Sequence, residues 1–435
     1  MYREAMADLI AWKNSKNRLP LIIRGARQVG KTWLMKEFGR TQYPKSAYIN
    51  FDGNKRMERL FTGDLDIKRI ITALQLEAGC TIEPENTLII FDEVQEVPRA
   101  LTSLKYFCEN APEYHLVAAG SLLGVALHPG TSFPVGKVSF LDLYPLNFAE
   151  FMRACGGEGF LELIRKQDWE LVSSFKDKYL EFLKQYYFIG GMPEVVASFS
   201  KERDYSEARA IQKRILMAYE QDFSKHAPNE TVPRIRMLWN SIPSQLAKEN
   251  KKFIYGLIRK GARAREYELA MTWLIDCGLV HKVNRVKKPS LPLRAYEDFG
   301  AFKLFVLDVG LLAAMCELDA ITLLDGSQIF QEFRGALTEQ YVRQEFACLK
   351  ELSVFYWTAE GSQAEVDFVI QNQGRVLPVE VKAAENLQAK SLKVYNRKFS
   401  PQICIRTSAS DYRREKWFIN LPLYAISQID KISLP

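Results

Sequence analysis

Two sets of residues in this sequence combine types and spacings that suit phosphate chemistry. The first is Gly25-x-x-x-x-Gly30-Lys31-Thr32, which follows the apolar run of residues 21–23 and precedes an amphipathic segment. In a strand, loop and helix context, this spacing predicts a loop whose backbone N–H groups surround the phosphates of a nucleotide. Lys31 would neutralise phosphate charge, and the Thr32 hydroxyl would bind Mg²⁺. The nucleotide-binding residues expected in this loop are Gly25, Ala26, Arg27, Gln28, Val29, Gly30, Lys31 and Thr32.

Polar residues at the ends of two later apolar runs would complete this site. Asp92 and Glu93 end a continuous apolar run, which is typical of a buried parallel strand. At the carboxyl edge of a doubly wound sheet, Asp92 would hold Mg²⁺ and Glu93 would activate water, although such a pair can also form a turn or a helix cap. Ser121 follows another strand, where it either senses the terminal phosphate or caps a helix.

The second set lies in the last third of the chain and contains three acids and a lysine. Glu339 falls on the apolar face of a predicted helix, where a carboxylate is costly unless a cation meets it. Strand alternation places Asp367 opposite to Val366 and Phe368. Glu380 and Lys382 share one face of the next strand, so all four groups can converge. Asp367 and Glu380 would hold Mg²⁺ for phosphodiester hydrolysis, with Lys382 positioning water; the alternative is a simple cross-strand ion pair.

The periodicity of the remaining chain predicts an α/β protein with three domains. Residues 1–203 would form a P-loop ATPase domain with a parallel sheet of five strands and a helical lid. Residues 204–318 are helical and basic, in the order helix, turn, helix, strand pair that is typical of a winged helix. Residues 319–435 would form a further α/β domain. The other strands expected in the first sheet are 47–52, 115–121 and 138–146.

The middle domain carries a cluster of basic residues in two stretches. Such a cluster on a recognition helix and its wing would contact DNA phosphates, although winged helices also dock proteins. The first stretch contains Lys251, Lys252, Arg259, Lys260, Arg263 and Arg265, and the second contains Lys282, Arg285, Lys287 and Lys288.

Composition narrows the class of protein. The chain has 435 residues, of which 47% are hydrophobic and 26% charged, a profile typical of a folded protein with more than one core. Its net charge of +7 permits a polyanionic partner. Seven scattered cysteines and four histidines indicate reduced thiols, a cytoplasmic location and no zinc site. No apolar run approaches the roughly 20 residues that span a bilayer, so we expect no membrane partner.

Several motifs together resemble a known family. The P-loop, "LIIFDEVQEVP", "VAAGSLLG", "LYPLNFAEF" and "FIGGMPEVV" are similar to those of prokaryotic AAA-type ATPases with a DUF4143 C-terminal region, and the resemblance spans nearly the whole chain. It implies Walker A roles for Lys31 and Thr32, Walker B roles for Asp92 and Glu93, and the sensor 1 position for Ser121. Family members tend to carry an arginine where this chain has Gly136-Lys137, and lysine lacks the guanidinium fork.

The last domain has a second resemblance. Asp367, Glu380 and Lys382, with Glu339 as the helix acid, resemble the PD-(D/E)xK nuclease fold of archaeal Holliday-junction resolvases, with Val366 in place of the usual proline. This resemblance implies that residues 319–435 form a restriction-endonuclease-like α/β domain. We therefore expect an ATP- and Mg²⁺-binding, DNA-associated ATPase whose nucleotide state controls a Mg²⁺-dependent nuclease-like domain. The alternative is an ATP-dependent switch or scaffold whose C-terminal domain binds a protein or nucleic acid without cleaving it. Whether the chain forms a homo-oligomer stays open.

Overall fold

The chain folds into two compact units. The first contains residues 1–144 and 276–278, and the second contains residues 145–275 and 279–435. The predicted domain boundaries after residues 203 and 318 both fall inside the second unit, and they stay predictions. The computed structural model describes residues 1–120, 134–248, 251–325, 331–359, 361, 364–385 and 389–432.

A parallel sheet of five strands forms the first unit, as predicted. The strands stand in the order β2-β3-β4-β1-β5, and every neighbouring pair is parallel. β3 and β4 are buried along their whole lengths, because helices cover both faces of a doubly wound sheet. The strands are β1 (Leu21–Arg24), β2 (Lys45–Asn50), β3 (Thr87–Asp92), β4 (His115–Ala119) and β5 (Ser139–Asp142).

The helices of the first unit begin at local signals in the sequence. Asn54 accepts a hydrogen bond from the N–H of Met57 at the start of one helix, and Asp66 accepts one from the N–H of Arg69 at the start of the next. Pro98 occupies the first turn of a third helix, where its missing N–H costs nothing. The helices are α1 (Ala5–Lys13), α2 (Lys31–Gln42), α3 (Lys55–Thr62), α4 (Ile67–Ala78) and α5 (Pro98–Asn110).

The second unit begins with a helical layer, which includes the helices expected as a lid. Its helices are α6 (Phe148–Ala154), α7 (Glu158–Arg165), α8 (Trp169–Ser174), α9 (Lys176–Ile189), α10 (Pro193–Glu202), α11 (Tyr205–His226), α12 (Val232–Leu246), α13 (Ala264–Asp276), α14 (Val309–Met315), α15 (Ala320–Asp325), α16 (Gln331–Cys348) and α17 (Lys390–Phe399).

Asp308 ties the helical layer together from a fully buried position. Its carboxylate accepts the N–H of Leu311 at 2.9 Å, which caps α14, and the N–H of Gly191 at 2.6 Å. A Cβ at Gly191 would lie 2.0 Å from the carbonyl oxygen of Leu146, so only glycine fits there. These contacts are those of a residue that caps a helix and holds a turn in place.

A mixed sheet of eight strands completes the second unit, in the order β12-β13-β11-β10-β9-β8-β6-β7. β6 and β7 pair antiparallel with each other, and β6 also joins β8, so the strand pair expected as a wing belongs to the same sheet as the C-terminal strands. The strands are β6 (Val280–Val286), β7 (Glu297–Val306), β8 (Ser353–Thr358), β9 (Glu365–Asn372), β10 (Arg375–Val381), β11 (Cys404–Ser408), β12 (Arg413–Arg414) and β13 (Phe418–Pro422).

The basic residues expected on a recognition helix in the middle of the chain lie mostly outside a helix in the structure. Of the six basic residues assigned to it, only Arg265 lies within α13, and the other five precede that helix. They fall in an irregular segment that contains one short 3₁₀ turn, Tyr255–Leu257, and Gly261 with a φ of +83°. The left-handed backbone at Gly261 interrupts the helical periodicity. The assignment of this basic stretch to a helix was therefore wrong.

Candidate functional site

The loop between β1 and α2 has the backbone that phosphate binding requires. Gly25 and Gly30 adopt φ angles of +149° and +95°, and Gln28 also has a positive φ of +67°. A Cβ at Gly25 would lie 2.2 Å from the carbonyl oxygen of Leu143, so glycine is needed for space as well as for conformation. These residues turn the chain tightly before the N-terminus of α2, where free N–H groups favour anions.

Lys31 lies over this loop with its ammonium group buried. Its Nζ donates to the carbonyl oxygens of Gly25 and Ala26 at 2.9 Å and 2.8 Å. Burial lowers the pKa of Lys31 to about 8, against the opposing effect of the Glu93 carboxylate. A cation held in this way, close to several backbone donors, is suited to neutralise the charge of a phosphate group.

The Walker B carboxylate is bound by two hydroxyl groups. Thr32 Oγ1 donates to Asp92 Oδ2 at 2.7 Å, and the hydroxyl of Tyr48 donates to the same oxygen at 2.8 Å. Asp92 is only 4% exposed, so water does not replace these contacts easily. The hydroxyl of Thr32 and the carboxylate of Asp92 are hard oxygen donors in contact, and they fit the Mg²⁺ that accompanies a nucleotide.

Sequence reasoning did not identify Tyr48 as part of this site. Tyr48 lies on β2 directly opposite Ile90 of β3, two positions before Asp92. Burial raises its pKa, and the neighbouring carboxylate of Asp92 raises it further, so the hydroxyl stays a hydrogen-bond donor. The signal available in the sequence was the position of a tyrosine near the carboxyl end of the strand beside β3.

Glu93 has a strained backbone at the end of β3. Its φ of +51° and ψ of +44° are left-handed, which is uncommon for a residue other than glycine and is frequent at functional sites. Its carboxylate accepts a hydrogen bond from Gln95 Nε2 at 2.6 Å. Glu93 therefore lies where a general base is expected, in contact with an amide. Ser121, the expected sensor, lies outside the described residues.

Lys137, which stands where family members carry an arginine, is bound within its own unit. Its Nζ lies 3.0 Å from Glu109 Oε1, and this contact raises the pKa of Lys137. Both side chains are partly exposed, so the ion pair itself contributes little to stability.

The structure brings together all four residues of the second candidate site. Glu339 lies on α16, Asp367 on β9, Glu380 on β10, and Lys382 directly after β10. Asp367 Oδ2 accepts the N–H of Val381 at 2.7 Å. Lys382 Nζ lies 3.0 Å from Glu380 Oε1, so the two residues of the E-x-K motif form an ion pair along the chain and not the cross-strand pair that was the alternative to a metal site.

A β-bulge positions Asp367, and it corrects the expected strand alternation. Phe355 of β8 faces Val369 and Trp357 faces Val366, so one residue of β8 spans both Asp367 and Phe368. Phe368 then packs on Phe346 of α16, the helix that also carries Glu339. Asp367 is opposite to Val366 as predicted, but it is not opposite to Phe368, because the extra residue breaks the period of two.

Two lysines that sequence reasoning did not assign to this site bind its carboxylates. Lys251 forms an ion pair with Glu339 Oε1, and Lys303 Nζ lies 3.4 Å from Glu339 Oε2. Lys303, on β7, is completely buried and also pairs with Glu365 of β9. The buried carboxylate of Glu339 is thus met by cations, as its position on an apolar face required.

These contacts separate the protonation states of the two central acids. Burial opposes ionisation of Glu339, but Lys251 and Lys303 outweigh it and lower its pKa. Burial and the charge of Glu339 raise the pKa of Asp367 to about 8. The two carboxyl groups are hydrogen-bonded to each other, and the opposite shifts of their pKa values favour the shared proton on Asp367.

The oxygens of Glu339 and Asp367 are not arranged to hold a divalent metal between them. Both oxygens of Glu339 are bound by ammonium groups, and Asp367 is bonded to Val381 and to Glu339. A metal needs ionised oxygen donors that face one point. Among the described residues, no three His, Cys, Asp or Glu side chains are grouped so that they could hold a metal ion.

Comparisons with known proteins identify parts of the chain. Residues 17–152 match the family model of an AAA domain, and this match confirms the P-loop ATPase domain expected there. Residues 180–322 match a domain of unknown function, DUF8612, and residues 334–426 match another, DUF4143, which confirms the expected C-terminal region. None of the curated proteins matches this chain.

Solved structures resemble the chain at low identity. The Walker-type ATPase PABY2304 of Pyrococcus abyssi is 14% identical, with 72% of this chain and 95% of that chain covered and a TM-score of 0.43. The ORC1 protein of Aeropyrum pernix in complex with DNA is 14% identical, covering 74% and 95%, with a TM-score of 0.30. CDC6p of Pyrobaculum aerophilum is 12% identical, covering 74% and 92%, with a TM-score of 0.24. In the described part of the chain, no helix has the length and apolar character that crossing a membrane requires.

Proposed function

We propose that the protein binds ATP at residues 25–32 and hydrolyses it, and that the nucleotide state acts as a switch on a DNA-associated chain. The observation that carries this proposal is the meeting of Lys31, Thr32, Asp92 and Glu93 at the carboxyl edge of one parallel sheet. Each side chain lies in a contact that suits its role: the lysine over the loop, the hydroxyl on the carboxylate, and the acid beside an amide.

The roles follow from the chemistry of phosphoryl transfer. Lys31 neutralises the charge of the phosphates, and Thr32 and Asp92 hold Mg²⁺, which supplies further charge neutralisation on the phosphate oxygens when it is bound. Glu93 orients the attacking water and accepts its proton. Gln95 binds one oxygen of the Glu93 carboxylate, and this contact restrains the acid that must orient the water.

ATP turnover by purified wild type, Lys31→Ala and Glu93→Gln tests this proposal. We expect Glu93→Gln to bind ATP but to lose at least about 100-fold in turnover, which is typical of removing a general base. Lys31→Ala should lose binding. Turnover by Glu93→Gln equal to that of the wild type would refute the assignment of the base.

We propose DNA as the partner on the basis of exposed basic residues in the second unit. A surface of this kind binds phosphates without reading base sequence, so affinity should fall steeply with salt. Arg285 is excluded from this surface because it pairs with Asp298 at 2.6 Å. Arg259 is exposed but pairs with Glu266 at 2.8 Å. The other exposed residues of the basic cluster are Lys260, Arg263, Arg265, Lys287 and Lys288.

Paired substitutions in this surface test DNA binding. We expect Lys287→Ala with Lys288→Ala to weaken binding of duplex DNA and to reduce the slope of log affinity against log salt by about 2, since each lost phosphate contact lowers it by about 1. Lys166→Ala with Lys201→Ala, which also removes two exposed lysines of the second unit, is the matched control. Equal slopes for the two double variants would refute the assigned surface.

A second candidate function is cleavage of DNA by the C-terminal part, with Mg²⁺ held by Asp367 and Glu380. The presence of Glu339, Asp367, Glu380 and Lys382 in one place favours it. The binding of Glu339 by Lys251 and Lys303 opposes it, and favours the alternative in which this part of the chain binds its partner without cleaving it.

A further inference from the structure

We infer that Lys251 and Lys303 are the permanent cations of the carboxylate centre formed by Glu339, Glu365 and Asp367, and that this centre binds no divalent metal and does not cleave DNA. The inference goes beyond the proposed function, because it concerns chemistry in the second unit and does not depend on ATP hydrolysis.

The contacts engage both oxygens of the central acid, Glu339. Lys251 binds one oxygen of Glu339, and Lys303 binds the other at 3.4 Å while it also pairs with Glu365. Lys303 Nζ lies 5.0 Å from the centre of the Tyr356 ring, whose face attracts a cation. Each ammonium group thus has the partners that a buried charge needs.

Burial distinguishes the two lysines and makes Lys303 the fixed one. Lys303 is 0% exposed on a strand, so it cannot leave without unfolding β7. The side chain of Lys251 is 12% exposed and lies in the irregular segment before α13. Even if Lys251 moved away, the ammonium group of Lys303 would remain against the carboxylates.

The charges of the centre already balance. The carboxylates of Glu339 and Glu365 are paired with the ammonium groups of Lys251 and Lys303, two negative charges with two positive charges. A dication added here would face two ammonium groups that touch the same carboxylate oxygens. Since like charges at contact distance repel strongly in a buried site, binding would require the expulsion of both lysines.

The cations and the acids come from different parts of the sequence. Lys251 and Lys303 lie within residues 180–322, the match to one family model, whereas the three acids lie within residues 334–426, the match to the other. The centre is therefore complete only when both regions fold together. Lys251 is also withdrawn from the DNA-binding surface, because its charge is used inside the protein.

Measurement of Mn²⁺ binding by electron paramagnetic resonance is the direct test. The sample is the whole chain with Lys31→Ala and without nucleotide. The Lys31→Ala background removes the nucleotide site. We expect the same free Mn²⁺ concentration with this protein as with the variant that also carries Asp367→Asn. One Mn²⁺ ion per chain, lost with Asp367→Asn or with Glu380→Gln, would overturn the inference.

A double-mutant cycle tests the role of the lysines by a separate measurement. Lys251→Met should lower the midpoint of thermal unfolding because it leaves the carboxylate of Glu339 without one cation, and Glu339→Gln in the same chain should restore part of the loss. If Lys251→Met leaves the midpoint unchanged, Lys251 is not a permanent cation and the inference fails.

Cleavage of DNA completes the test. Wild type with Mg²⁺ or Mn²⁺, with and without ATP, should release no more cleaved linear, circular or four-way-junction DNA than Lys382→Ala does. Metal-dependent cleavage that Lys382→Ala abolishes would overturn the inference while leaving the proposal of ATP hydrolysis intact. Absence of ATP turnover would sink that proposal alone.

Discussion

Removal of the Tyr48 hydroxyl should weaken the Walker B site without removing any expected ligand of the nucleotide or of Mg²⁺. Asp92 Oδ2 accepts two hydrogen bonds, from Tyr48 at 2.8 Å and from Thr32 at 2.7 Å. In Tyr48→Phe the first bond is lost, and only Thr32 then orients this oxygen. Since Asp92 is nearly inaccessible to water, no solvent molecule replaces the lost donor easily.

The size of the effect follows from the kind of hydrogen bond. A hydrogen bond to a charged group contributes about 1.5–3 kcal/mol. Tyr48 is partly exposed, so we take the lower end, about 1.5 kcal/mol. If that energy holds the carboxylate in its productive orientation, Tyr48→Phe should lower the turnover number about tenfold. The ring of Tyr48 should stay in place, because Lys36 packs on its face with Nζ 3.8 Å from the ring centre.

The assay compares kcat, the Kd for ATP with and without Mg²⁺, and the midpoint of thermal unfolding. We expect Tyr48→Phe to reduce the gain in ATP affinity that Mg²⁺ gives and to leave the affinity for metal-free ATP unchanged. Tyr106→Phe, at a partly buried tyrosine that packs on the hydrophobic core of the first unit, is the control. A variant with normal kcat and a normal effect of Mg²⁺ would show that Thr32 alone positions Asp92, and would refute this reasoning.

Three further outcomes are expected, each for a single substitution in the wild-type protein. Gly191→Ala should destabilise the second unit by about 1–3 kcal/mol in denaturant unfolding, because its Cβ would lie 2.0 Å from the Leu146 carbonyl oxygen. Gly159→Ala is the control and should be neutral or stabilising, because open space surrounds that position. Burial, together with the charges of Arg18 and Lys13, lowers the pKa of His115 to about 4. The unfolded chain therefore binds the proton more tightly, and stability should fall by at most about 3 kcal/mol as the pH drops from about 6.5 to 4. His115→Gln should lose this dependence of stability on pH. Gln95→Ala should raise ATP turnover up to about tenfold, since it removes from the carboxylate of Glu93 a hydrogen bond to a charged group, which contributes about 1.5 kcal/mol; unchanged turnover would mean that this bond does not restrain the base.

The nucleotide site was predictable because its parts are local in the sequence. Residues 25–32 are contiguous, and Asp92 and Glu93 end the strand that the apolar run identified. Parallel strands bring their carboxyl ends to one edge, so topology alone joins the two segments. Tyr48 was missed because its role depends on which strand neighbours β3, and the order β2-β3-β4-β1-β5 is not written in any single segment.

The carboxylate centre was predictable only in its acids. The apolar face of α16 required a cation near Glu339, but nothing local named it, since Lys251 and Lys303 lie 88 and 36 residues away along the chain. Lys251 was counted with a basic stretch that was assigned to a DNA-binding helix. The bulge at Asp367 was equally hidden, because it arises from the register between β8 and β9.

The long separation of these lysines from the acids along the chain explains why the motif alone predicted metal binding at this centre. D, E-x-K and a helix acid describe where carboxylates lie, and the structure bears out that placement for Glu339, Asp367 and Glu380. Metal binding depends in addition on which cations already touch those oxygens, and here they are supplied from β7 and from the segment before α13. A set of acids that matches a sequence motif completely can therefore have its charge balanced by cations in the folded protein. Its chemistry is then decided by side chains outside the motif.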